Sequence, residues 1–84
     1  MYEIRGKYLW IEAHAYEGMN AERPPIKLEY LYEAVDDPDK TVTEGKIRVK
    51  AMKWIGKRTI IAYYDEYEED IHVRSVSATR RKLV

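Results

Sequence analysis

Eighty-four residues suffice for one small domain, and a chain of this length buries only about 60% of the surface its unfolded form exposes. It has no Cys, which excludes disulfides, Cys-ligated zinc and thiol catalysis, and no apolar run long enough to span a bilayer. Charged side chains make up 36% of the chain, fifteen of each sign, against about 25% in an average domain. That composition, with no signal-peptide pattern at the N-terminus, points to the cytoplasm and suits a thermophile.

The zero net charge hides a polarity. Residues 1–42 carry five basic and nine acidic side chains, net −4, and residues 43–84 carry ten basic and six acidic, net +4. Such a molecule either presents its C-terminal half to RNA or an acidic partner, or neutralises its halves internally. Phe is absent and Tyr occurs eight times, so aromatic burial falls to Tyr, Trp10 and Trp54, whose polar tips need partners.

The segment from Met1 to Ile11 reads as one strand, interrupted at Gly6 or folded there as a small hairpin. A short helix is expected over Glu12–Asn20, with Ala15, Tyr16 and Met19 inward; Gly18 inside it costs roughly 1 kcal/mol of helix propensity. Arg23 precedes a proline and should be extended. Pro25 suits the first turn of a second helix running to Asp36, with Leu28, Leu31, Tyr32 and Val35 on one stripe. Pro38 explains the stop. A brief strand at Thr41–Glu44 precedes Gly45.

A three-strand meander follows. Its strands are Lys46–Ile55, Arg58–Tyr64 and Ile71–Ala78, joined by Gly56-Lys57 and by the acidic stretch Asp65–Asp70. In the first strand the alternation changes phase, with Ile47, Val49 and Ala51 on one face and Met52 and Trp54 on the other. A bulge near Ala51, or cover on both faces, accounts for it. The basic tail Thr79–Val84 closes the chain and is expected to be mobile.

Phosphate-cradling glycine loops, zinc-ligand spacings and nucleophile elbows are absent, and the acidic stretch lacks calcium-loop spacing. His14, at the start of the first helix, reads as a general acid or base, or as a structural histidine. His72 and Arg74 share one strand face, a pairing that supports proton transfer beside phosphate stabilisation, or an ordinary polar sheet face. Arg48 shares a face with Lys46 and Lys50, Arg58 opens the next strand, and Arg80, Arg81 and Lys82 populate the tail. Tyr63 and Tyr64 interleave as stacking platforms for bases.

Several short patterns carry a resemblance. His14-Ala15, Glu22-Arg23, Ile26 opening a helix and Asp37-Pro38 ending it, followed by a Gly-turned meander, resemble an uncharacterised group within the RelE/ParE-like toxin superfamily. The run from Ile71 to Arg81 resembles the last strand and tail of the BrnT toxins of that superfamily. The chain departs from the pattern at Gly18 and Pro24, where Arg and Gly are expected.

The resemblance implies a metal-independent endoribonuclease toxin neutralised by a cognate antitoxin, with no cofactor and with mRNA, on the ribosome or free, as target. Its candidate catalytic residues are His14, His72, Arg74 and Arg80. Arg23, Arg48, Arg58, Tyr64, Arg81 and Lys82 are the RNA-binding candidates. The expected fold is a single α+β domain over residues 1–84: helices packed on one face of a mostly antiparallel four-stranded sheet, order β-α-α-β-β-β, RelE-like. The competing functions are a non-catalytic RNA- or protein-binding module, and an interaction protein that dimerises through an exposed strand.

Overall fold

The computed structural model describes residues 2–84, so Met1, the first residue of the predicted N-terminal strand, lies outside the described residues. From Tyr2 the chain makes a hairpin of β1 (Tyr2–Ile4) and β2 (Lys7–Ile11). Its turn residues Arg5 and Gly6 both have positive φ, 53° and 75°, the type I′ geometry whose twist matches the flanking strands. Helices α1 (Ala13–Ala21) and α2 (Leu28–Asp36) follow. The helix predicted from Pro25 begins later because Ile26 gives its backbone N–H to the Met19 carbonyl (3.0 Å) and Lys27 is extended.

The second half forms β3 (Lys40–Glu44), β4 (Arg48–Ile55), β5 (Arg58–Glu66) and β6 (Asp70–Thr79). All six strands lie in one mixed sheet of order β1-β2-β6-β5-β4-β3. Neighbours are antiparallel except β2 and β6, which run parallel with Leu9 opposite Ile71 and Trp10 opposite His72.

The expected four-stranded, mostly antiparallel RelE-like sheet of order β-α-α-β-β-β is therefore corrected: the chain order is β-β-α-α-β-β-β-β. The N-terminal segment turns at Gly6 and supplies two strands. β3 is exposed at every position and leaves almost no hydrophobic signature, yet it pairs with β4 throughout its length.

Both helices pack on one face. Leu31, Ala34 and Val35 of α2 and Ala15 and Met19 of α1 cover Leu9, Ala51, Ile60, Ala62, Tyr64, Ile71, Val73 and Val76. Arg5 ties the hairpin to α2 by donating to the Val35 carbonyl (2.8 Å), one of the unpaired acceptors at the helix C-terminus. β4 has no bulge at its phase change, for its pairing with β5 is continuous and both Ala51 and Met52 are buried. Both faces are covered at that end, by helices on one and the C-terminal tail on the other. The irregularity falls instead between β5 and β6, at Tyr63/Tyr64. No helix among the described residues is long and apolar enough to cross a membrane.

β2 pairs with β6 only as far as Val73, and α1 packs against β6 beyond that point. The approach is close: a Cβ added to Gly18 would sit 2.5 Å from the Val76 carbonyl oxygen. Gly18 is thus a packing requirement. Replacing a solvent-facing helix glycine by alanine stabilises by about 1 kcal/mol. Gly18→Ala is instead expected to destabilise by about 1–3 kcal/mol, because backbone must move. Urea denaturation of the two proteins measures the sign, and a gain in stability would contradict the packing.

Candidate nucleic-acid interface

Strand alternation leaves one sheet face without helices. Arg48, Lys50, Met52 and Trp54 of β4 and Thr59, Ile61, Tyr63 and Asp65 of β5 point to it, as do Tyr8 and Trp10 of β2 and Asp70 and His72 of β6. The β5–β6 irregularity shapes this face. Tyr64 is opposite Val73 and Tyr63 is opposite Ser75, so Arg74 is an extra residue on β6. A bulge re-aims the side chain it carries, and Arg74 bonds the Asp65 carboxylate (Nε to Oδ2, 2.7 Å) and the Glu12 carboxylate (Nη1 to Oε1, 2.6 Å).

Arg48 donates to the other Asp65 oxygen. The result is a chain Glu12–Arg74–Asp65–Arg48 running from the start of α1 to β4. Asp65 is 2% exposed while both guanidiniums reach solvent. The hydrogen bond from Arg48, with that from Arg74, holds the Asp65 carboxyl below the usual carboxylate range against the opposing effect of burial. Arg48 and Arg74 are raised in turn, each first by its hydrogen bond to Asp65. The cluster has equal numbers of acids and bases, so its cations are largely spoken for.

Aromatic groups flank the cluster. Trp10 is 47% exposed and lies 6.3 Å from the His72 ring, and Tyr67 meets the same imidazole edge-on at 5.2 Å. The Trp10 indole N–H donates to Asp70 (3.0 Å), fixing the ring. Lys50 stands over Tyr63 at 5.6 Å, and Lys82 over Trp54 at 5.7 Å. The tail is docked here. The Thr59 hydroxyl donates to the Arg81 carbonyl (2.6 Å) and accepts from the Leu83 N–H (3.2 Å), which accounts for a threonine with no exposure on the helix-free face.

The predicted residues divide. His72, Arg74, Arg48 and Lys82 share the open face, and Arg81 crosses it through its backbone. His14 is exposed on α1 and makes no hydrogen bond, ion pair or ring contact with His72 or Arg74 among the described residues. Arg23 bonds the carbonyls of Asn20 (2.6 Å) and Glu22 (2.9 Å), capping the end of α1. Arg58 and Arg80 lie at the end of the sheet on the helix side, lining a cleft with Pro24 and Tyr30. Tyr64, expected as an outward stacking platform, is 3% exposed within the core, where burial raises its hydroxyl pKa. Uninterrupted β4–β5 pairing turns Tyr63 outward and Tyr64 inward.

The sequence reading missed Trp10, Glu12, Tyr67 and Asp65 as members of this face. Alternation of Tyr8 and Trp10 against Leu9 and Ile11 carried a signal for the first. Asp65 was concealed by its acidic neighbours. It and Glu66 belong to β5, not to the loop, and Glu66 pairs with Arg5 (3.1 Å) and Lys7 (2.8 Å) on the helix side.

No protein-family model, no curated protein and no solved structure matches this chain.

The Asp65 cluster makes acid stability measurable. A carboxyl whose folded pKa is depressed contributes stability in full above its unfolded pKa of about 3.9, and loses it as pH falls through the folded value. Wild type should therefore exceed Asp65→Asn in stability by about 1–3 kcal/mol at neutral pH. The gap should close below about pH 4. Denaturation of both proteins across that range tests this, since other titrations cancel in the difference. A gap independent of pH would show that the carboxylate charge is not its source.

Proposed function

We propose that this protein binds single-stranded RNA across the open face of its sheet. The observation that carries the reading is that one helix-free face gathers five rings, Trp10 and Tyr67 exposed and His72, Tyr63 and Trp54 half-buried, with a lysine over each of the last two. Trp10, His72 and Tyr67 lie at one corner, Tyr63 under Lys50 in the middle, and Trp54 under Lys82 at the other end. Bases stack on aromatic faces for about 1–3 kcal/mol each without reading sequence, while neighbouring cations follow the phosphates. Strand spacing and rise put Trp10 and Trp54 roughly 25 Å apart, the span of a strand several nucleotides long.

Binding rather than cleavage is the reading the geometry favours. Arg74, the natural stabiliser of a pentavalent phosphate, is held by Asp65 and Glu12, and His14 makes no contact with His72. One observation supports the second reading, metal-independent cleavage by a toxin whose open face an antitoxin covers. His72 is half-buried between two rings and adjacent in register to Trp10, where a stacked nucleotide would bring its 2′-hydroxyl near an imidazole able to take a proton.

Fluorescence anisotropy with a labelled oligouridylate of about twelve nucleotides separates these outcomes. Trp10→Ala and Trp54→Ala should each weaken binding about 5- to 100-fold. Tyr2→Ala, at the hairpin edge, should leave it unchanged, and the recovered RNA should be intact. RNA cut by wild type and spared by His72→Ala would favour the second reading. Affinity indifferent to both tryptophans would contradict the proposed face.

A further inference from the structure

The side of the sheet opposite the RNA face holds a second cationic feature. Where the α1–α2 linker meets the ends of β5 and β6, a cleft of about 260 Å³ is lined by Pro24, Lys27, Tyr30, Arg58 and Arg80, with Gly56 in its wall. Three cations converge there and no carboxylate lines it. This differs from the open face, where each arginine of the central cluster has an acidic partner.

Arg58 is the decisive group. It is 7% exposed, one guanidinium nitrogen donates to the Pro24 carbonyl (2.6 Å), and it forms no ion pair among the described residues. A buried charge without a counter-charge is costly, and native structures pair such groups. A carbonyl satisfies one donor and leaves the charge. No nitrogen of this side chain is both fully buried and without a partner, and the side chain lines the cleft. Arg80 likewise makes no ion pair among the described residues, and Lys27 stands 5.6 Å from the Tyr30 ring with its ammonium free of acids. Gly56, at φ 60°, lines the cleft beside Tyr30, whose hydroxyl an added Cβ would touch at 3.6 Å.

We infer that this cleft binds a phosphate dianion, the terminal monoester of a phosphorylated ligand, with Arg58 as the buried counter-charge and Arg80 and Lys27 as its outer clamp. Guanidinium pairs match the oxygens of phosphate by bidentate hydrogen bonds, and an ammonium adds a point charge. A cleft of this volume admits the phosphate with part of its carrier. The inference does not rest on the RNA face, which lies across the sheet.

The carrier is either a small phosphomonoester or the 5′-phosphorylated end of a nucleic-acid strand, and one experiment distinguishes them. Thermal unfolding of the full chain is followed with inorganic phosphate, adenosine 5′-monophosphate, and an oligoribonucleotide with either a 5′-phosphate or a 5′-hydroxyl, against chloride at equal ionic strength. Inorganic phosphate should raise Tm with the logarithm of its concentration above its Kd, by roughly 5–10 °C once it exceeds that Kd about tenfold. Arg80→Gln and Lys27→Gln, both at exposed positions that leave the fold intact, should each reduce the shift severalfold. A 5′-phosphate that tightens oligonucleotide binding identifies the strand end as carrier. Equal oligonucleotide affinities, with phosphate and the mononucleotide both stabilising, identify a small phosphomonoester. No shift beyond the chloride control, or a shift unchanged in both variants, would overturn the proposal and leave Arg58 as a clasp on the linker alone.

Discussion

A single carboxylate organises the open face. Asp65 is buried at the point where β4, β5 and β6 run side by side, and it takes a guanidinium from each flanking strand. A buried anion at this position is tolerable only while both partners are present, so strand pairing and charge pairing are mutually dependent. Arg74 extends the dependence to Glu12, at the junction of β2 and α1. The parallel β2–β6 pairing that makes this reach possible also sets Trp10 beside His72. One ionic chain thus fixes the register of the sheet and the position of its aromatic corner.

What could be read from the sequence depended on how local the physics was. The α2 stripe of Leu28, Leu31, Tyr32 and Val35 is a short-range pattern, and its inner members are buried as expected. The meander was legible for the same reason, since its turns are marked by Gly56 and by a polar cluster. β3 escaped full description because an exposed edge strand shows no burial pattern, and its ladder with β4 supplies the pairing. The parallel contact between residues 8–11 and 70–73 joins segments some sixty positions apart, which no spacing along the chain announces. The bulge that admits Arg74 has no sequence mark of its own, and it lies on a strand other than the one whose alternation falters.

Two positions stand out against the expected pattern, and the structure accounts for one of them. Only glycine at position 18 is small enough for α1 to approach the Val76 carbonyl; at position 24 the backbone carbonyl receives Arg58, a role that leaves the choice of proline without a structural explanation. The charge polarity also resolves into parts. Three cations of the basic half are paired within the fold: Arg48 and Arg74 by Asp65, and Lys53 by Asp37 and Asp39. Among cations without acidic partners in the described residues, Lys50 and Lys82 stand over outward rings, and Lys27, Arg58 and Arg80 line the linker cleft. Those are the places where an external anion meets the least competition from the protein's own carboxylates.

The central claim is that the helix-free face is where the partner sits. The chain has two tryptophans, both on that face, so their indole N–H resonances report on its opposite ends. Titration of the ¹⁵N-labelled protein with an oligouridylate should shift both indole signals together with the amides of Lys50, Tyr63 and His72, while Leu31 and Val35 of α2 stay in place. Shifts concentrated in α1 and α2, with both indoles unmoved, would contradict the account.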